Sequence, residues 1–153
     1  MKVIYPLILL IFVLTSCDNQ EERAEFQRLK DQERIEQQNK EMIEYLFKSF
    51  NERNIEGFKS VTDPEWQYFH PSTNANAVSR DEMITRLENA YASFTSISFK
   101  VDKILASGEN VVVSYSSHHI HPSGKEAKGS AIILYTIKNG KVTEVREEFN
   151  VEN

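Results

Sequence analysis

The sequence predicts an α+β domain, helices first and an antiparallel sheet after them, held behind an export signal and a charged spacer. Three observations carry this. Met42, Ile43, Leu46, Phe47 and Phe50 recur at the spacing of one buried helical face. From Phe94 onward, four β-rich segments are separated by turn residues. Asn139-Gly140, the strongest short hairpin signal, joins the last two of them. Helices followed by a meander of strands imply helices packed on one sheet face.

The first element is an address. Lys2 is followed by an apolar run from Val3 to Leu14, short of the ~20 residues that span a bilayer and of the right length for a signal-peptide core. Its end, Leu14-Thr15-Ser16-Cys17, resembles the lipobox of bacterial lipoproteins. In that family the cysteine thiol receives a diacylglyceryl group and the signal is cut just before it. The resemblance therefore implies residues 1–16 as signal peptide and Cys17 as the lipidated first residue of the mature chain, anchored to a membrane of the bacterial cell envelope. Two or more acyl chains on one residue give stable anchoring. Cys17 is the single cysteine, so no disulfide forms within one chain. Asp18 and the acidic residues after it resemble lipoprotein sorting signals, whose meaning differs between lineages and leaves the destination open.

Residues 17–40 are the acylated terminus and a spacer. Gln20 to Lys40 is almost wholly Glu, Gln, Arg, Lys, Asp and Asn, without Gly or Pro. These residues favour a solvated helical stalk, and Phe26, Leu29 and Ile35 are too few for a coiled-coil seam. The formal net charge of the chain is −5, and loss of the signal with Lys2 makes it one more negative. Such a protein repels nucleic acid.

Residues 41–153 form the domain. After the Met42–Phe50 helix, Asn51-Glu52-Arg53-Asn54 turns, and Ile55, Phe58 and Val61 predict a short second helix ending before Asp63-Pro64. Trp66 to Phe69 reads as a short strand. Ser79-Arg80-Asp81-Glu82 is a capping box that opens a third helix, with Met83, Ile84, Leu87 and Tyr91 inward. Strands follow at Phe94–Ala106, Val111–Ile120, Lys128–Lys138 and Lys141–Asn150.

The order and spacing of several pieces resemble the nuclear-transport-factor-2-like superfamily, especially its SnoaL-like polyketide-cyclase branch. The carriers are Met42 to Asn51, Asn54-Ile55-Glu56-Gly57-Phe58, Phe69-His70-Pro71, Ser79-Arg80-Asp81-Glu82 and Asn139-Gly140-Lys141-Val142. The resemblance implies a cone, in which the curved antiparallel sheet wraps around about three N-terminal helices and encloses an apolar pocket. It also implies a spread of activities, from isomerases, cyclases and dehydratases to members that catalyse nothing.

A two-residue hairpin loop pairs Lys138 with Lys141, Ile137 with Val142, Tyr135 with Glu144, Ile133 with Arg146 and Ala131 with Glu148, all on one face by the two-residue period. Ile133, Tyr135 and Ile137 make this the core face. Members that are cyclases carry an acid–base Asp on this strand, and the resemblance puts Ile133 there. An isoleucine moves no proton, so the leading expectation is a non-catalytic domain that binds a small molecule or a protein. The expected pocket lining is Trp66, Tyr68, His70, Tyr115, His119, Ile133, Tyr135, Arg146 and Glu148. Arg146 and Glu148 select a polar or charged ligand if they stand at the pocket mouth, or form an ordinary exposed ion pair if the strand end emerges into water. The first alternative is a small isomerase, cyclase or dehydratase using His70 with Glu148 or Arg146; His70 equally fits a structural turn. The second is a structural or assembly protein, and Leu134 and Val145 on the outer sheet face suit a homodimer. His118, His119 and His121 suggest a metal, but three or four ligands with supporting groups are needed, and neither metal nor cofactor is expected. Gly-rich phosphate loops, nucleophile elbows and zinc-finger spacings are absent from the sequence.

Overall fold

In the computed structural model, the backbone is described for residues 4–70 and 76–152, and side chains for residues 20–70 and 76–147. The chain divides into two compact units, Met1–Ile35 and Glu36–Asn153. In the first unit the spacer is helical, part of α1 (Ile4–Asn51), with Phe26 and Leu29 exposed and Arg28 bonded to Glu25 one turn away. The acid–base pairs here lie in water and contribute little. Among the described residues no helix is long and apolar enough to cross a membrane.

The second unit begins with the last turns of α1, where Ile43, Leu46 and Phe47 are buried and Met42 and Phe50 pack beside them. Asn39 donates to Gly108 O at 2.8 Å and Glu36 accepts from Gly108 N at 3.0 Å. These two bonds fasten the helix to a strand turn. The helix ends at Asn51, and Arg53 takes a left-handed conformation, φ 55. Asn54 then caps α2 (Ile55–Val61), its side chain accepting from Gly57 N at 2.8 Å. Gly57 is required by space: a Cβ there would stand 2.5 Å from Ser49 Oγ.

A six-stranded curved, unclosed sheet follows, built from β1 (Thr62–Phe69), β2 (Val78–Ser79), β3 (Ser96–Ser107), β4 (Asn110–Ile120), β5 (Glu126–Lys138) and β6 (Lys141–Glu152). The order is β2-β1-β6-β5-β4-β3. Strands β3 to β6 form the antiparallel meander, whereas β1 joins β6 in parallel. That parallel pair departs from the wholly antiparallel expectation: β1 enters from α2, pairs antiparallel with the short β2 on one side and runs alongside the last strand on the other. α3 (Arg80–Ser93) starts at Ser79, whose hydroxyl accepts from Glu82 N at 3.3 Å. Its Met83, Ile84 and Leu87 meet a core of Ile43, Leu46, Phe58, Trp66, Val111, Val113, Ile133, Tyr135, Ile137, Val142 and Val145.

The final hairpin decides which residues face that core. Asn139 (φ 52) and Gly140 (φ 69) make the turn with both central residues left-handed, and the pairs Lys138–Lys141 and Ile137–Val142 form as expected. The next pair is Thr136–Glu144, so Thr143 is an extra residue and the ladder has slipped by one. From there Tyr135 faces Val145, Leu134 faces Arg146 and Ile133 faces Glu147. A β-bulge of this kind inverts the alternation downstream. A second shift lies between Ile132 and Ile133, where Ile132 pairs with Phe149.

Candidate functional site

The bulge carries a carboxylate into the domain. Glu147 is only 8% exposed, opposite the inward-facing Ile133. Burial of such a group requires partners, and β1 supplies them. Trp66 and Tyr68 alternate onto the inner face of β1, their rings stacked at 6.1 Å and 5°. The Tyr68 hydroxyl donates a hydrogen bond to Glu147 Oε2. His70, immediately beyond β1, places Nε2 at 3.5 Å from Glu147 Oε1. Burial first, and then the Glu147 carboxylate, pushes the Tyr68 phenol well above its ordinary range, so it stays a donor. Tyr115 is raised to about 12 by burial and by Glu147, and burial raises Tyr135 as well.

Two spaces meet at this cluster. One is a mostly apolar cavity of ≈ 220 Å³ between α1, α2, α3 and the sheet, bounded by Phe58, Trp66, Leu87, Ile133, Tyr135 and Glu147 among others. The other is an open cleft of ≈ 640 Å³, bounded by His70, His119, Glu126, Lys128, Ser130 and Glu147 among others. Tyr68, Phe99, Tyr115 and Glu147 belong to both. The carboxylate therefore stands where an apolar interior opens into a polar mouth. Ligand sites commonly have this composition, apolar walls with a few placed polar groups.

Of the residues expected to line a pocket, Trp66, Tyr68, Tyr115, Ile133 and Tyr135 border the cavity, and His70 and His119 border the cleft. Arg146 does not. It is exposed on the outer face, bonded to Glu144 Oε1 at 2.6 Å, with its guanidinium 4.2 Å from the Phe69 ring centre. The straight two-residue alternation failed at Thr143, and the same slip turns Val145 inward, 3% exposed, so it cannot serve an outer dimer face. The side chains of Cys17 and Glu148, and residue Pro71 altogether, lie outside the described residues. Glu147 is the residue that sequence reasoning missed; bulges leave little local trace, and only its neighbours' burial exposes the slip.

The histidines are divided. His118 turns outward, 3.0 Å from Glu126 Oε2, and His121 meets the hydroxyl of Ser123 at 2.9 Å. His119 lies 5.5 Å from both the Phe94 and the Phe99 ring centres, and burial holds its imidazole below the ordinary range, with His118 adding to the effect. Among the described residues no group of three or more His, Cys, Asp or Glu is placed to hold a metal ion.

Comparison with known proteins agrees with this architecture. Similar solved structures include AclR, a putative hydroxylase from Streptomyces galilaeus (TM-score 0.67, 18% identity, covering 75% of this chain and 80% of that one). A putative SnoaL-like polyketide cyclase from Jannaschia sp. CCS1 gives a TM-score of 0.64 at 23% identity over 76% of this chain and 87% of that one. An NTF2-like protein of unknown function from Burkholderia pseudomallei gives 0.62 at 19% identity, over 73% and 90%. No curated protein matches the sequence. At these identities the solved structures speak for the fold alone. The SnoaL-like domain family matches residues 43–145, and the chain belongs to that family.

Proposed function

We propose that this chain is a lipid-anchored envelope protein whose SnoaL-like domain binds a small molecule without transforming it. The observation that carries the binding reading is Glu147, a buried carboxylate oriented by Tyr68 and His70 at the junction of an apolar cavity and an open cleft. Such an anchor fixes the polar end of a ligand while the cavity takes its apolar part. The non-catalytic role is supported by Ile133, which occupies the strand position implied for the proton-handling Asp of cyclases and faces the cavity. The anchoring rests on Leu14-Thr15-Ser16-Cys17.

The test of binding is a thermal-shift series with acidic, basic and neutral small molecules on wild type, Glu147→Gln and Arg146→Ala. The reading expects a ligand-dependent rise in wild type and Arg146→Ala that shrinks in Glu147→Gln. A rise abolished only by Arg146→Ala removes the reading. For the anchor, metabolic labelling with an alkyne fatty acid should mark wild type and not Cys17→Ser; equal labelling of both contradicts it.

One observation favours a second reading, an enzyme that moves a proton. His70 Nε2 lies 3.5 Å from a carboxylate bordering the cavity, an arrangement from which Glu147 can act as base and His70 can relay the proton. Ligand consumption that is lost in Glu147→Gln while binding is retained distinguishes this reading from simple capture.

A further inference from the structure

We propose that the indole N–H of Trp66 is a ligand-recognition donor, and that the cavity takes a neutral ligand of one or two rings presenting a hydrogen-bond acceptor, such as a ketone oxygen, to Nε1. The inference rests on the binding reading above and narrows its ligand.

Trp66 is 4% exposed, borders the ≈ 220 Å³ cavity, and its Nε1 is buried with no hydrogen-bond partner among the described residues. Leaving a buried donor unmet is costly, so folded proteins rarely keep one without a use. Water is a poor remedy in a largely carbon-lined space, since a buried water needs two or more polar partners. Size and charge narrow the ligand further. A cavity of about 150 Å³ takes benzene, so this one holds a ring with substituents and excludes larger fused systems from its interior. An anion is disfavoured by Glu147, and a cation, which Glu147 would pair, brings no acceptor to the indole. A neutral ring with one acceptor satisfies the indole, and its remaining substituents emerge past Glu147 into the cleft. A site with a buried unpaired donor discriminates strongly against analogues that lack the acceptor.

Trp66 is the single tryptophan, so the ¹⁵N-labelled full-length chain has one indole N–H resonance, which reports this atom alone. Acetophenone is the probe, ethylbenzene its counterpart of similar size without an acceptor, and benzoate the anionic control. The expected result is a progressive downfield movement of the indole proton with acetophenone, and binding of ethylbenzene weaker by about tenfold without that movement. Trp66→Phe, followed through the Leu46 and Ile133 methyl signals, should lose about tenfold for acetophenone and keep its ethylbenzene affinity. Methyl shifts equal for both probes with a stationary indole proton overturn the donor assignment and leave the binding reading intact. Methyl signals that respond to neither probe overturn the neutral-ring proposal, while the Glu147 reading stands or falls by the thermal-shift series. Tighter binding of benzoate overturns the neutral class. The Phe58 and Trp66 rings are nearly perpendicular, their centres 5.6 Å apart and their planes at 84°. An indole proton already displaced upfield without ligand, and unmoved by acetophenone, would place the N–H on that ring and overturn the proposal.

Discussion

Removing the Tyr68 hydroxyl tests whether the buried carboxylate is a built feature. Tyr68→Phe keeps the ring, and with it the stacking on Trp66, but deletes the donor that meets Glu147 Oε2. Water replaces this partner only in part, because Glu147 is 8% exposed and meets solvent only from the cleft side. Hydrogen bonds to charged groups contribute about 1.5–3 kcal/mol, so the expected loss is about 2 kcal/mol. For a domain of the size of Glu36–Asn153, that corresponds to a fall in Tm of about 8 °C. Glu147→Gln retains an acceptor but replaces the charge, and should cost less. The interaction free energy from Tyr68→Phe, Glu147→Gln and the double variant, read by urea denaturation, is expected at about 1–2 kcal/mol. Additive single effects, or a Tyr68→Phe variant as stable as wild type, would mean that hydroxyl and carboxylate are each solvated and that no anchor exists at the cavity mouth.

Gly57→Ala should destabilise by about 1 kcal/mol in urea denaturation, because the new Cβ meets Ser49 Oγ at 2.5 Å and overpacking outweighs the gain in helix propensity; adding Ser49→Ala should recover part of the loss. Ser79→Ala removes the cap of α3 and should cost about 1 kcal/mol by the same measurement. The His119 imidazole is held below its unfolded value of 6.5, so the unfolded chain binds its proton first. Stability from this residue is present above that value and is lost as pH falls through the lower folded one; His119→Gln should flatten this part of a pH–stability curve. Tyr115, raised from 10.0 to about 12, carries the opposite sign. Its contribution is complete below pH 10 and is lost as pH rises through 12, which ultraviolet titration of wild type against Tyr115→Phe should reveal.

Much of the fold is legible because it is written in local chemistry. The apolar spacing of Ile43, Leu46, Phe47 and Phe50 requires a helical face, Ser79 with Glu82 opens a helix, and Asn139-Gly140 can adopt the left-handed turn that a tight hairpin needs. The aromatic residues of the cavity follow from the same alternation: Trp66 and Tyr68 share a face, as do Ile133 and Tyr135. The slip at Thr143 is different in kind. Nothing in Lys141-Val142-Thr143-Glu144 marks an extra residue, and Thr fits either face of a strand. β6 pairs with β5 on one side and with the parallel β1 on the other, and both registers shift between Val142 and Glu144, a feature of tertiary pairing. One unpaired residue then exchanges Arg146 for Glu147 at the cavity. The parallel β1–β6 pair escapes for a related reason, since it joins segments more than seventy residues apart with no shared turn.

The orientation of β6 past Thr143 is the point on which the binding account stands, and nuclear Overhauser contacts from the Tyr68 ring read it directly. The account expects strong contacts from the Tyr68 ring protons to the Glu147 side chain and to Val145, with Arg146 instead contacting Phe69 on the opposite face. Contacts from Tyr68 to the Arg146 side chain, with Glu147 in solvent, would contradict it.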